Sequence, residues 1–339
     1  WRHDIRPTPE RDWLALAMIC IGLLSVLPNF AGTGSMEGTG ANAGGPRLAG
    51  EAFGTSWTVS LREEVPGLAT LREHLQAELE RIERTLSHWR DESETSQFNS
   101  SQTTLELEYS PEFISLVEFG RSLGEATDGT YDITTGPLVD AWGFGPSGPL
   151  EREPTEKEIS ELLTYVGWNK LELQSQWQTL RKTHPMVQID LGSMLQGFAV
   201  DRLAALLDGA GVSEYLIDVG GELRSKGSWT VGIVDPLSPS RTVRRLKLTD
   251  AALATSGTYR RAVEGGGSPV HHVLSPTTGR PTESRWLSCS VIAPSCLEAD
   301  GWATALMTTD SETTLQIANR ESVAALLIGR TREEVRSDA

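Results

Sequence analysis

The sequence predicts an α+β fold, a single domain of mixed sheets and helices preceded by an apolar N-terminal helix. Three observations carry this expectation. Amphipathic helical stripes and short alternating runs are interspersed, without the regular βαβ alternation of a doubly wound sheet. Hydrophobic residues make up 38% and charged residues 22% of 339, enough apolar material for one large core. A separate apolar run stands near the N-terminus, set apart by a Gly-rich stretch.

Taken in order, Arg2, Arg6 and Arg11 lie in a flank, residues 1–12, ahead of the almost unbroken apolar run Trp13–Leu27. As a helix that run rises roughly 22 Å, and extension to Ala31 brings it close to the ~30 Å of a bilayer core. Residues 13–31 are therefore read as a transmembrane anchor or signal segment, with a buried soluble helix as the plainer alternative. Asp4, Glu10 and Asp12 are unusual in a signal peptide and favour the anchor. Arginines ahead of the run place the N-terminus in the cytoplasm. The rest of the chain is then expected at the inner membrane, on its periplasmic or extracytoplasmic side. Residues 32–50, rich in Gly, Ala and Thr, read as a flexible linker, and the folded domain as 51–339.

Within the domain, Phe53–Leu61 alternates as a strand. Leu71, Leu75, Leu79, Ile82 and Leu86 recur at helical spacing. Pro111–Glu125 and Thr155–Val166 read as helices, Val187–Asp190 as a short strand, and Gly197–Leu207 as a helix stopped by Gly209 and Gly211. Strands are expected at Tyr215–Val219, Trp229–Val234 and Cys289–Ile292, then a helix over Glu298–Met307 and a last strand at Val323–Ile328.

A formal net charge of −16 argues against nucleic acid as a partner, and a phosphate-bearing ligand would call for a divalent cation. Of three cysteines, Cys20 lies in the apolar run, so Cys289 and Cys296 alone could pair in the domain; two buried thiols are the simpler reading. The sequence has no CxxC spacing for zinc, no GxSxG elbow and no P-loop. Gly143-Phe-Gly145-Pro-Ser-Gly148 matches GxGxxG, yet it follows no clear strand and runs into Pro149 instead of a helix, so a Rossmann site is rejected.

Four segments carry chemistry. Asp300 and Thr304 stand four apart near a helix N-terminus, one carboxylate and one hydroxyl on one face, hard donors suited to Mg²⁺; simple helix capping is the alternative. Asp190 to Asp201 reads as a strand–turn–helix junction able to face an anion. Trp142 and Phe144 flank Gly143, offering aromatic faces beside backbone that a ligand can approach, or else two core aromatics in a tight turn. His271 and His272 leave a strand towards opposite faces, so one of them could serve as a base.

In this order the segments resemble the ApbE family of FAD:protein FMN transferases. Phe53-Gly-Thr-Ser-Trp57, Ser87-His-Trp89-Arg, Ser96-Gln-Phe-Asn99, Asp218-Val-Gly-Gly221-Glu, Trp229 to Pro236 and Ser256-Gly-Thr-Tyr-Arg260 extend the likeness from about Phe53 to Met307. The resemblance implies Mg²⁺ held by Asp300, Thr304 and a main-chain oxygen of Ser193, with Ala303 adjacent. It implies FAD contacts at Phe53, Trp89, Trp142, Gly143, Phe144, Asp190, Gln196 and Leu274, and His272 as the base. FAD would be the substrate and a Thr or Ser of an acceptor flavoprotein the recipient of FMN, with AMP released. An FAD pyrophosphatase and a non-catalytic flavin-binding protein are the alternatives. The sequence departs from the family pattern where Gln196 replaces a common Lys and Ser275 a common Asp.

Overall fold

The apolar stripe of Leu71, Leu75, Leu79, Ile82 and Leu86 is wholly buried on helix α1 (Leu68–Leu86), as its spacing predicts. Burial of five such side chains stabilises the fold by about 2 kcal/mol each. In the computed structural model the described residues are 45–150, 152–258, 262–265 and 268–339. The expected apolar helix at 13–31, its flank and most of the expected linker lie outside them. No described helix is long and apolar enough to cross a membrane.

The sheet that α1 covers has eight strands: β1 (Arg47–Ala52), β2 (Thr55–Leu61), β6 (Tyr215–Val219), β7 (Glu222–Lys226), β10 (Ala252–Gly257), β13 (Trp286–Ala293), β14 (Ala324–Gly329) and β15 (Glu334–Arg336), in that spatial order. Every neighbouring pair is antiparallel. β1 corrects the expected boundary, because residues 47–50 pair in register with β2 and Leu61 N donates to Pro46 O at 2.9 Å. The Gly-rich composition conceals this edge strand, whose Leu48 is buried.

Strand alternation divides the sheet's two faces. Tyr215, Ile217, Val219, Ala252, Ala254, Ala325 and Leu327 meet the helices in the main core. That helical layer contains α1, α6 (Leu195–Gly209) and α7 (Cys296–Thr308). Leu216, Leu223, Leu253, Leu326 and Ile328 point to the other face, where a hairpin of β8 (Ser228–Asp235) and β9 (Ser238–Thr249) packs through Val231, Ile233 and Leu248. A third apolar cluster forms around α4 (Gly136–Ala141) and α5 (Glu156–Leu163). Among the described residues the remaining α-helices are α2 (Glu94–Ser100), α3 (Pro111–Ala126) and α8 (Thr313–Arg320). A small sheet orders β3 (Leu107–Glu108), β5 (Thr179–Lys182) and β4 (Leu171–Gln174), and β11 (Ala262–Gly265) pairs with β12 (Ser268–His271).

Val187–Asp190, expected as a strand, makes one parallel bridge between Gln188 and Thr135 and is otherwise irregular. Cys289 and Cys296 are buried free thiols, the simpler of the two readings.

Candidate functional site

Helix α7 supplies its own cap. Ser295 Oγ accepts from Glu298 N at 3.2 Å and Glu298 reaches back to Ser295 N at 3.3 Å, a full capping box. Asp300 therefore does not cap its own helix. It is 6% exposed, and its Oδ2 accepts from Gly197 N in the first turn of α6 at 2.9 Å. The exchange is reciprocal. Asp201 of α6 accepts from the first two amides of α7, Cys296 N and Leu297 N, at 2.9 Å each, and it also pairs with Arg224. Each helix thus satisfies donors that the other leaves open at its N-terminal turn. Gly197 makes the approach feasible: a Cβ there would lie 2.4 Å from Cys296 O and 2.7 Å from Asp300 Cβ. Thr304, one turn after Asp300, meets Ser256 Oγ of β10 at 2.7 Å, and Ala303 between them is fully buried.

The turn ahead of α6 comes to the same place. Asp190 N donates to Ile133 O at 2.7 Å, which draws the 187–193 segment along residues 131–135. Tyr131 Oη then meets Ser193 Oγ at 2.7 Å. Burial pushes the Tyr131 phenol well above its usual range, and the charges of Asp190 and Asp300 push it further in the same direction. Gln196 faces the β6–β7 turn, where a Cβ on Gly220 would meet its Nε2 at 3.1 Å and Glu222 Oε2 at 3.3 Å.

The chain from Thr135 through α4 leads to the aromatic turn. Gly143 holds φ +76°, and a Cβ there would strike Leu150 N at 2.2 Å, so the turn depends on glycine. The two aromatics of this turn differ in burial. Trp142 is 2% exposed, its Nε1–H is donated to Gly279 O at 2.8 Å, and it braces the 274–281 loop from beneath. Phe144 is half-buried and keeps an edge-on contact with His272, ring centroids 6.1 Å apart. Leu274 is buried in the same cluster. His271 turns away, with Nε2 3.0 Å from Thr282 O, so the two histidines diverge as strand alternation requires.

A third group gathers around the loop between α1 and α2. Phe53 holds φ +51° in the β1–β2 turn, and its N–H donates to Glu83 Oε2 at 3.4 Å. Glu83 pairs with Arg90 at 2.9 Å, next to the exposed Trp89. His88 lies between Trp89 and Asp190, with Nδ1 3.3 Å from Asp190 Oδ1. Sequence reasoning passed over His88, Tyr131 and Asp201, because their partners stand 62 to 102 residues away along the chain. Among the described residues no three His, Cys, Asp or Glu side chains converge on a metal. The Asp300 carboxylate and the Thr304 hydroxyl, one turn apart on α7, are hard oxygen donors of the kind that Mg²⁺ takes.

This fold is shared with solved flavin transferases. The flavin transferase ApbE from Vibrio cholerae matches with a TM-score of 0.78 at 31% identity, covering 86% of this chain and 97% of that one. The Pseudomonas stutzeri flavinyl transferase ApbE in its apo form matches with a TM-score of 0.77 at 29% identity, covering 86% and 95%. The FAD:protein FMN transferase of Escherichia coli K12 is 35% identical over 295 residues, 83% of each chain. The model of the ApbE family matches residues 53–327, and the chain belongs to the ApbE family.

Proposed function

We propose that the protein is an FAD:protein FMN transferase, which splits FAD, attaches FMN to a Thr or Ser of an acceptor flavoprotein and releases AMP. The curated relatives named for that activity support the reading. The observation that carries it is the buried Asp300, fixed by Gly197 N–H beside the Ser193 turn. Asp300, Thr304 and a main-chain oxygen of Ser193, with Ala303 adjacent, would hold a Mg²⁺ ion, which when bound neutralises pyrophosphate charge and steadies the leaving AMP. Phe53, Trp89, Gly143, Phe144, Asp190, Gln196 and Leu274 would line the flavin nucleotide, with Trp142 supporting Phe144 from within. His272, oriented by Phe144, would take the proton of the acceptor hydroxyl. The hydroxyl oxygen then bonds to the FMN phosphorus as the bridging P–O bond breaks, and AMP leaves with that electron pair. Residues 13–31 would tether the domain to the inner membrane, with the site on its periplasmic side.

The test is mass spectrometry of an acceptor protein incubated with the enzyme, FAD and Mg²⁺. One FMN adduct on a Thr or Ser, with AMP formed in equal amount, is expected. His272→Ala should lose transfer and still bind FAD. Rapid release of free FMN, unchanged by acceptor, would replace this reading with a pyrophosphatase; intact FAD after long incubation would leave a flavin-binding protein.

A further inference from the structure

The geometry points to His88 as a further positioning residue for flavin recognition, one that fixes the Trp89 ring by tying its neighbour to Asp190. This inference rests on the flavin-contact roles proposed above for Trp89 and Asp190. The path of the loop is set without the imidazole. Thr95 Oγ1 donates to Leu86 O at 2.6 Å, Ser96 Oγ to His88 O at 3.2 Å, Arg90 N to Ser87 O at 3.1 Å, and Ser93 N to Arg90 O at 3.0 Å.

The His88 side chain is turned inward and 13% exposed, with Nδ1 3.3 Å from Asp190 Oδ1. The same carboxylate oxygen accepts from Gly192 N at 2.7 Å, so His88 joins the turn that precedes Ser193. At Gly192 a Cβ would lie 3.0 Å from Asp190 Oδ1, so the turn runs close against that carboxylate. The imidazole and the Trp89 ring have centroids 5.3 Å apart and planes tilted by 38°. Beyond Trp89, Arg90 is held by Glu83, which also accepts from Phe53 N. Trp89 remains 44% exposed. One aromatic ring is therefore presented outward while the residues on either side of it are anchored, one to Asp190 and one to Glu83. A ring held in this way spares an incoming ligand the cost of ordering it.

A double-mutant cycle on the full chain, reading AMP release with FAD, Mg²⁺ and acceptor, tests this. His88→Ala and Trp89→Ala should each raise KM for FAD about 5- to 10-fold and change kcat less than about twofold, the size expected for losing one ordered side chain. The double variant should match Trp89→Ala within about twofold, because the two residues act as one unit. His88→Asn keeps a donor near Asp190 and should recover most of the loss, whereas His88→Phe should not. Multiplying effects, or an unchanged KM in His88→Ala beside a raised one in Trp89→Ala, would remove His88 and leave Trp89 in place. Unchanged KM in both would remove the flavin role of Trp89 and this inference together. If His88→Ala fails to fold, the Asn and Phe variants decide by the same comparison.

Discussion

Gly197 sits where helix α6 meets helix α7, and the missing Cβ is what lets its amide reach Asp300. Gly197→Ala would drive a methyl group into the Cys296 carbonyl, and backbone cannot yield as a side-chain tip can. The expected outcome is destabilisation by about 1–3 kcal/mol in a denaturant titration, together with weaker Mg²⁺ binding by calorimetry. Lys182 offers a second expectation. Its side chain is 2% exposed and donates to Phe98 O at 2.8 Å and Val187 O at 3.1 Å, tying α2 to the segment that carries Asp190. Burial lowers its pKa from 10.5 to about 8. Below pH 8 the amine is charged in both folded and unfolded chains, so its full desolvation cost is present. Between pH 8 and 10.5 the unfolded chain binds the extra proton, and stability from this residue rises with pH. Wild type should therefore gain on Lys182→Met as pH goes from 8 to 10, measured as the difference in unfolding free energy. A constant difference would contradict the assignment.

Among the elements, β1 and the α6–α7 pair carry the consequences. Of two truncated chains, one starting at residue 45 and one at residue 51, the second lacks residues 47–50 that pair with β2, the buried Leu48 among them. The second truncation is expected to lose several kcal/mol, about 2 from Leu48 and about 1 from each strand hydrogen bond. Asp201→Asn keeps the shape of the α7 cap and loses its charge, at a cost of about 1–3 kcal/mol. Helix α1 was legible because one apolar face recurs at helical spacing, and α6 because an amphipathic run is stopped by Gly209 and Gly211. The hairpin strand β9 was not, since most of SPSRTVRRLKLT is exposed and polar, and its pairing with β8 decides its structure. Val187–Asp190 shows the converse: its apolar residues are buried, yet its backbone meets Thr135 and Ile133 singly instead of in a ladder. Within the site, Asp300, Thr304 and the divergence of His271 and His272 follow from local spacing. The burial of Trp142 does not, because its partner Gly279 lies 137 residues on.

For the molecule as a whole, a formal charge of −16 repels an anionic dinucleotide before any contact forms. Raising NaCl from about 20 to 200 mM shortens the reach of that repulsion to below 10 Å. The association rate of FAD at fixed Mg²⁺ should then increase, by stopped-flow fluorescence, in contrast to a site that attracts its ligand over distance. The exchange of carboxylates between α6 and α7 also sets a clock. Gly197 N, Cys296 N and Leu297 N can reach solvent deuterium only when the two helices part, since each amide is held by the opposite helix. The Gly197 amide and the Cys296–Leu297 pair, about a hundred residues apart in the chain, should therefore share one protection factor, and a cation bound at Asp300 should slow all three by the same factor.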